Sequence, residues 1–275
     1  MRFSQVDVFA HDPCRGNPLA VVHDAEDLSD EQLARFANWT NLSETTFLLP
    51  PTDPSADYRV RIFTVSRELP FAGHPTLGSA RAWLDVGGVP ATDGVVVQEC
   101  GVGLVPIRYA DSHLAFAAPD LLRSGEVDRV DLDRIVTALR IRPEQIRHAR
   151  WIDNGPGWVG VVLDSAEEVL ALQPDFAALG DLKLGVLGAH APGGPADYEV
   201  RAFVPGLGVN EDPVTGSLNA GFAVWLMDAG LVPQSYTARQ GTALGRAGQV
   251  LLEASEGRVW VGGEASVLIS GEVSL

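Results

Sequence analysis

The chain has 275 residues, enough for one large domain or for two smaller units that each bury a core. Hydrophobic residues make up 46% and charged residues 20%, a balance typical of globular proteins and not of disordered ones. The net charge of −16 would repel nucleic acid and anionic membranes, so neither is an expected partner. An anionic substrate would need local hydrogen-bond donors to overcome that charge.

The start of the chain lacks the apolar stretch that a signal peptide needs. No apolar run approaches the roughly 18 residues that cross a membrane. The two cysteines, Cys14 and Cys100, lie far apart in the sequence, which favours free thiols in a reducing compartment. We therefore expect an intracellular, cytoplasmic protein.

The first half begins with a helix predicted over Asp30–Asn38. Ser29 followed by Gln32 forms the capping-box pattern of a helix start, and the apolar residues that follow lie on one face. Further along, Asp57–Phe63 alternates polar and apolar residues with the period of a half-buried strand.

A second helix is predicted over Pro75–Val86. Proline suits the first turn of a helix, and Gly87-Gly88 suits the end. Because this helix is apolar on nearly every side, we expect it to be buried. A helix over Asp131–Leu139 begins the connection to the second half.

The second half repeats the first in the same order. Asp197–Phe203 matches the strand at Asp57–Phe63, and a second almost wholly apolar helix is predicted over Thr215–Ala229. The pair His74-Pro75 likewise finds a match in Asp212-Pro213. Ordered matches of this kind indicate a duplication.

The duplication predicts an α+β fold of two homologous lobes, an N-terminal lobe at 1–125 and a C-terminal lobe at 126–275. Each lobe is expected to be a curved β-sheet or barrel wrapped around one of the apolar helices, and a pseudo-twofold axis would relate the two. The two helix heads would then face each other, which places the active site between the lobes.

The heads of the two apolar helices carry residues suited to chemistry. A helix start offers free backbone N–H groups and a partial positive charge, which suit a carboxylate. His74 and Asp212 would form a titratable pair in one cleft. Simple capping by Asp212 and Thr215 is the alternative, because both residue types are common at helix starts.

Glu44 lies between the first helix and an apolar strand. Its counterpart in the second half falls near Leu184, where the sequence has no carboxylate. A carboxylate present in one copy only, beside an apolar strand, is a candidate general base. A solvated carboxylate at a strand edge remains the alternative.

Cofactor motifs are weak. Gly155–Gly160 has the letters of a dinucleotide fingerprint, but Val161–Leu163 after it reads as a strand, whereas the fingerprint requires a helix. This segment is better interpreted as a turn. The six histidines are scattered, and no pair has the spacing of a zinc site on a helix. We therefore expect no metal and no other cofactor.

Taken together, segments along nearly the whole chain carry a family likeness: Val6–Phe9, Gly16–Val21, Ser43–Phe47, Phe63-Thr64, Glu68–Thr76, Glu211–Ser217, Gln240-Gly241, Gly245-Arg246 and Val261–Gly263. The chain resembles the phenazine biosynthesis family typified by the PhzF isomerase, whose members share the two-lobed diaminopimelate epimerase fold. The Gly-His-Pro-Thr and Asp-Pro-Val-Thr-Gly-Ser motifs are the most specific part of this resemblance.

The resemblance implies a cofactor-independent isomerase that moves a proton on a small cyclic carboxylic acid, as in trans-2,3-dihydro-3-hydroxyanthranilate isomerisation. It also implies a homodimer. Glu44 falls on the family's acid/base, and His74, Asp212 and Ser217 complete the catalytic set. The surrounding motif residues are assigned to substrate binding: Gly73, Pro75, Thr215 and Gly216.

Two alternatives stay open. The first is a racemase or epimerase of an amino-acid-like substrate on the same fold. Diaminopimelate epimerases carry a cysteine at each helix head, whereas these heads read Gly73-His74 and Glu211-Asp212, so a two-thiol mechanism is disfavoured. The second is a small-molecule-binding protein that has lost turnover, which the presence of Glu44 argues against.

Overall fold

The computed structural model describes residues 1–207 and 209–275. The chain divides into two compact units: unit 1 is Met1–Ala117 with Gly262–Leu275, and unit 2 is Ala118–Val261. The predicted lobes at 1–125 and 126–275 differ from this division mainly in the C-terminal segment, Gly262–Leu275. That segment belongs to unit 1 because its strand pairs antiparallel with the first strand of the chain, from Arg2 opposite Glu272 to Val8 opposite Ala265.

Unit 1 consists largely of short strands around one long helix. Its elements are β1 (Arg2–Val8), β2 (Asn17–Val22), α1 (Asp30–Thr40), β3 (Thr45–Leu49), β4 (Tyr58–Phe63), β5 (Glu68–Leu69), α2 (Gly73–Asp85), β6 (Val95–Cys100), β7 (Gly103–Ala110) and β8 (His113–Ala117).

Unit 2 has the same character. Its elements are β9 (Arg123–Glu126), α3 (Arg129–Leu139), β10 (His148–Asp153), β11 (Trp158–Val162), α4 (Ala166–Ala171), α5 (Phe176–Leu179), β12 (Lys183–Ala189), β13 (Tyr198–Phe203), β14 (Glu211–Asp212), α6 (Gly216–Asp228), β15 (Ser235–Gln240) and β16 (Gly248–Ser255). The last strand, β17 (Arg258–Glu272), begins in unit 2 and ends in unit 1.

The strand pairings repeat between the units, as the internal repeat predicted. In unit 1, β1 pairs antiparallel with β2, β2 parallel with β3, β3 antiparallel with β4, and β4 parallel with β6. In unit 2, β10, β11, β12, β13 and β15 follow the same sequence of antiparallel, parallel, antiparallel and parallel pairings. The two-residue strands β5 and β14 also pair alike, with β4 and with β13.

The pairing registers correct one match made from the sequence. Phe63 pairs with Glu68 in unit 1, and Phe203 pairs with Glu211 in unit 2. Glu68 therefore corresponds to Glu211, and both carboxylates bind an arginine of the preceding strand in a bidentate pair. The match of His74 with Asp212 is wrong, because Asp212 lies in β14 and not in a helical turn.

The two apolar helices are buried as predicted, with small shifts at their ends. Both α2 and α6 have 13 residues, and most of their side chains lie in the core. Glycines let them approach the strands closely. A Cβ on Gly78 would lie 2.5 Å from Leu19 Cδ2, and a Cβ on Gly221 would lie 2.6 Å from the Ile152 carbonyl oxygen.

The remaining local predictions also hold. The Ser29–Gln32 capping box starts α1. The glycine-rich segment forms a turn that leads into β11, where the Asp153 carboxylate accepts from the backbone N–H groups of Gly155 at 2.7 Å and Gly157 at 2.6 Å. Among the residues that the structure describes, no helix combines the length and apolar character needed to span a membrane.

Candidate active site

Glu44 and His74 come together in unit 1. Asn41 ends α1 in the left-handed conformation, and the chain then turns through Glu44 into β3. Oε2 of Glu44 lies 3.3 Å from Nδ1 of His74, the second residue of α2. The Glu44 side chain is 17% exposed and the His74 side chain 5%, so the contact is largely shielded from water. The predicted acid/base is therefore not a solvated strand-edge carboxylate.

The His74 ring is neutral around pH 7. Burial lowers its pKa to about 3, although a hydrogen bond with the Pro18 carbonyl acts in the opposite direction. A neutral imidazole has one donor nitrogen and one acceptor nitrogen. Its Nε2 is buried and has no hydrogen-bond partner among the described residues. His74 can thus hold the Glu44 carboxylate through one nitrogen and offer the other to a substrate.

The two central helices start differently from the other α-helices of the described chain. Within that part of the molecule, neither α2 nor α6 has a side-chain hydrogen bond at its N-cap or an acidic residue in its first turn. The N-cap side chains of the other helices accept from the backbone: Ser29, Asp128, Ser165 and Asp175. The first N–H groups of α2 and α6 therefore favour an anion.

Thr215 occupies the N-cap position of α6 but makes no side-chain hydrogen bond to the helix start. The Thr215 hydroxyl donates to Oδ2 of Asp212 at 2.5 Å, so it turns away from the helical N–H groups. The interpretation that the Thr215 side chain caps this helix is therefore wrong. The Gln240 side chain holds this helix start, because its Oε1 accepts from the Thr215 amide at 3.0 Å and its Nε2 donates to the Asp212 carbonyl at 3.0 Å.

Ser217 is the second residue of α6, which follows Gly216. Its Oγ accepts from the indole N–H of Trp158 at 3.0 Å, and its carbonyl accepts from Nδ2 of Asn154 at 2.9 Å. Sequence reasoning missed Trp158 and Asn154, because Trp158 begins β11 and Asn154 directly follows β10, and neither belongs to a motif of its own. Only the packing of α6 on these strands brings them to Ser217.

The predicted site residues thus form two groups. Glu44, Gly73, His74 and Pro75 lie together in unit 1, and Asp212, Thr215, Gly216 and Ser217 lie together in unit 2. That both groups serve one substrate stays a prediction from the internal repeat. The structure describes no cluster of three or more His, Cys, Asp or Glu side chains suited to a metal ion in residues 1–207 and 209–275.

Comparison with known families matches the chain almost from end to end. The profile of the family described as phenazine biosynthesis-like protein covers residues 6–271. The chain belongs to this family.

Relatives and solved structures agree with the family match. The chain is 36% identical to antisense-enhancing sequence 1 of Schizosaccharomyces pombe, covering 98% of this chain and 97% of that protein. It is 34% identical to trans-2,3-dihydro-3-hydroxyanthranilate isomerase of Pseudomonas aeruginosa, covering 89% and 87%. A phenazine biosynthesis protein of the PhzF family from Enterococcus faecalis has a TM-score of 0.82 at 27% identity, covering 100% and 99%.

These matches identify the chain as an isomerase of the phenazine biosynthesis-like family. They also confirm the predicted α+β fold of the diaminopimelate epimerase type, with two similar halves that each enclose a helix.

Proposed function

We propose that this chain is a cofactor-independent isomerase that moves a proton on a small cyclic carboxylic acid resembling trans-2,3-dihydro-3-hydroxyanthranilate. The Glu44–His74 contact at the head of α2 is the observation that carries this proposal. It combines a proton acceptor, a neutral imidazole and a helix start suited to a carboxylate.

In this mechanism Glu44 removes a proton from one carbon and returns it to another on the same face of the ring. His74 orients the Glu44 carboxylate through Nδ1 and can hydrogen-bond the substrate through Nε2. Asp212 and Ser217 bind polar groups of the substrate, and the heads of α2 and α6 attract its carboxylate. A bound substrate would displace water from the site, and the loss of water makes a carboxylate a stronger base.

The family resemblance also leads us to propose a homodimer located in the cytoplasm. Neither property contributes to the proton-transfer step in this mechanism, which uses side chains of one copy.

Glu44→Gln tests the proposal because it keeps the size of the side chain and removes the proton acceptor. Loss of a positioned general base costs about 10²–10⁴ in rate. We expect kcat for trans-2,3-dihydro-3-hydroxyanthranilate to fall by that factor, with a much smaller change in KM. NMR in D₂O should show neither isomerisation nor exchange in the variant.

Glu31→Gln is the matched control, because Glu31 is an 86% exposed carboxylate on α1 of the same unit. Its kinetics should equal those of the wild type. Turnover by Glu44→Gln within a few-fold of wild type would show that Glu44 is not the base, and Asp212 would become the candidate. No turnover by wild-type protein would refute the proposed substrate class.

A further inference from the structure

The strand registers give Glu44 a counterpart in unit 2. Thr45, the first residue of β3, pairs with Phe63, and Leu184 of β12 pairs with Phe203. The phenylalanines are the last residues of the matching strands β4 and β13. The residue before Leu184 is Lys183, so a lysine occupies the position in unit 2 that Glu44 occupies in unit 1.

The same comparison matches His74 with Ser217, because each is the second residue of a central helix of 13 residues. Lys183 and Ser217 therefore hold in unit 2 the positions that Glu44 and His74 hold in unit 1. A carboxylate and an imidazole suit proton transfer, whereas an ammonium group and a hydroxyl are donors that suit an anion.

The surroundings of Lys183 place it beside the head of α6. Lys183 pairs with Trp158 across the parallel strands β12 and β11, so both side chains leave the same face of the sheet. The Trp158 indole donates to Ser217 Oγ at 3.0 Å. The Lys183 ammonium donates to the carbonyl of Pro156, in the turn just before β11. Strand pairing thus directs Lys183 toward the helix that carries Ser217.

The hydrogen bonds at Ser217 favour an anionic ligand. A hydroxyl has one proton to donate, and Ser217 Oγ already accepts from Trp158, so its own proton is directed to another acceptor. The N–H groups at the start of α6 have no side-chain cap among the described residues.

The composition adds an independent observation. Lys183 is the one lysine in the sequence, which has 20 lysine and arginine residues together. An ammonium group is a compact point charge on a flexible stem, unlike the planar fork of arginine. Amine chemistry on this protein can therefore modify only Lys183 and the N-terminus, which makes Lys183 directly measurable.

We propose that Lys183 determines specificity for an anionic substrate by binding its carboxylate beside Ser217, while Glu44 and His74 carry out proton transfer. Unit 2 then supplies anion recognition and unit 1 supplies the acid/base group. This inference rests on the proposed isomerase function, but it makes a separate claim about binding.

Lys183→Met keeps the length of the side chain and removes its charge. A hydrogen bond to a charged group contributes about 1.5–3 kcal/mol, so KM for trans-2,3-dihydro-3-hydroxyanthranilate should rise roughly 10- to 150-fold. We expect kcat to stay within a few-fold of wild type, and Lys183→Arg to recover part of the affinity. Arg129→Met is the control, since it removes one positive charge from a 93% exposed site in the same unit.

Chemical labelling tests the same claim on the wild-type protein. Reductive methylation of Lys183, followed by mass spectrometry, should slow in the presence of 2-aminobenzoate and not in the presence of the neutral 2-aminobenzamide. The N-terminal amine is the internal control, because neither compound should change its labelling rate.

The two experiments separate failure of this inference from failure of the proposed function. A KM in Lys183→Met equal to that of Arg129→Met overturns the role of Lys183, and so does labelling that 2-aminobenzoate does not slow. If wild type does not isomerise the dihydroaromatic acid, the proposed reaction fails and labelling alone decides. Selective protection by the carboxylate would then still support the anion site.

Discussion

Gln240 offers a quantitative test of how the head of α6 is held. Its side chain is fully buried and makes four hydrogen bonds with described residues: with the Thr215 amide and hydroxyl, the Asp212 carbonyl and Asn219 Nδ2, all at 2.9–3.0 Å. Gln240→Met keeps the length of the side chain and removes all four. At a net contribution of about 1 kcal/mol each, the variant should lose about 4 kcal/mol of unfolding free energy.

Gln98 in unit 1 is the matched control. It is equally buried, accepts from the Tyr58 hydroxyl and donates to the Thr76 hydroxyl, both at 3.0 Å, and it makes a further, weaker hydrogen bond with the Cys100 thiol. Gln98→Met should therefore lose about 2 kcal/mol, half the loss expected for Gln240→Met. Because the two substitutions are chemically identical and both sites are closed to water, the difference in stability reports mainly the additional strong hydrogen bonds of Gln240.

Urea unfolding at pH 7, followed by tryptophan fluorescence, measures both losses. Hydrogen exchange adds a local readout, since the Thr215 amide should exchange faster in Gln240→Met and at the wild-type rate in Gln98→Met. Equal losses of stability in the two variants would refute the reasoning. So would an unchanged exchange rate at Thr215, because that amide would then not depend on Gln240.

Two further predictions concern pH and cofactors. The pKa of His74 is about 3 in the folded state and near ~6.5 in the unfolded state. Between these pH values only the unfolded state binds a proton on this imidazole. The contribution of His74 to the free energy of unfolding is therefore fully present above pH ~6.5 and decreases as the pH falls. Between pH 7 and 5 the wild type should lose about 2 kcal/mol more than His74→Asn, and equal losses in urea unfolding would contradict the buried neutral imidazole. Isomerase activity should survive EDTA and the double change Cys14→Ala, Cys100→Ala, since the proposed mechanism uses neither metal nor thiol; loss on chelation with recovery on adding zinc would overturn it.

The elements of this fold could be predicted from local patterns. The Ser29–Gln32 capping box and the apolar run of each central helix depend on residues a few positions apart, so the sequence carries them directly. The internal repeat was visible for the same reason, because each half keeps its own order of strands and helix. Glu44 was also recognisable, as a single carboxylate between a helix and an apolar strand.

The correspondence between the halves required the tertiary structure. The connection from β4 to β5 covers residues 64–67, and that from β13 to β14 covers residues 204–210, so the offset between the copies changes inside the repeat. An alignment of the two halves by residue type alone did not allow for that change, and it therefore matched His74 with Asp212. Hydrogen bonds between strands set the true correspondence between the halves. In it, Glu44 is equivalent to Lys183 and His74 is equivalent to Ser217.

The contacts of the site were likewise decided by packing. Glu44 and His74 are 30 positions apart, and Thr215 and Gln240 are 25 apart, so no local pattern links either pair. Burial against the strands brings each pair together and removes the water that would otherwise solvate it. The sequence by itself determined which residue types are available and where the helices begin. Only the folded chain determined that a buried imidazole lies against Glu44 and that Lys183 occupies the position in unit 2 that Glu44 occupies in unit 1, because burial and strand register are properties of the whole sheet.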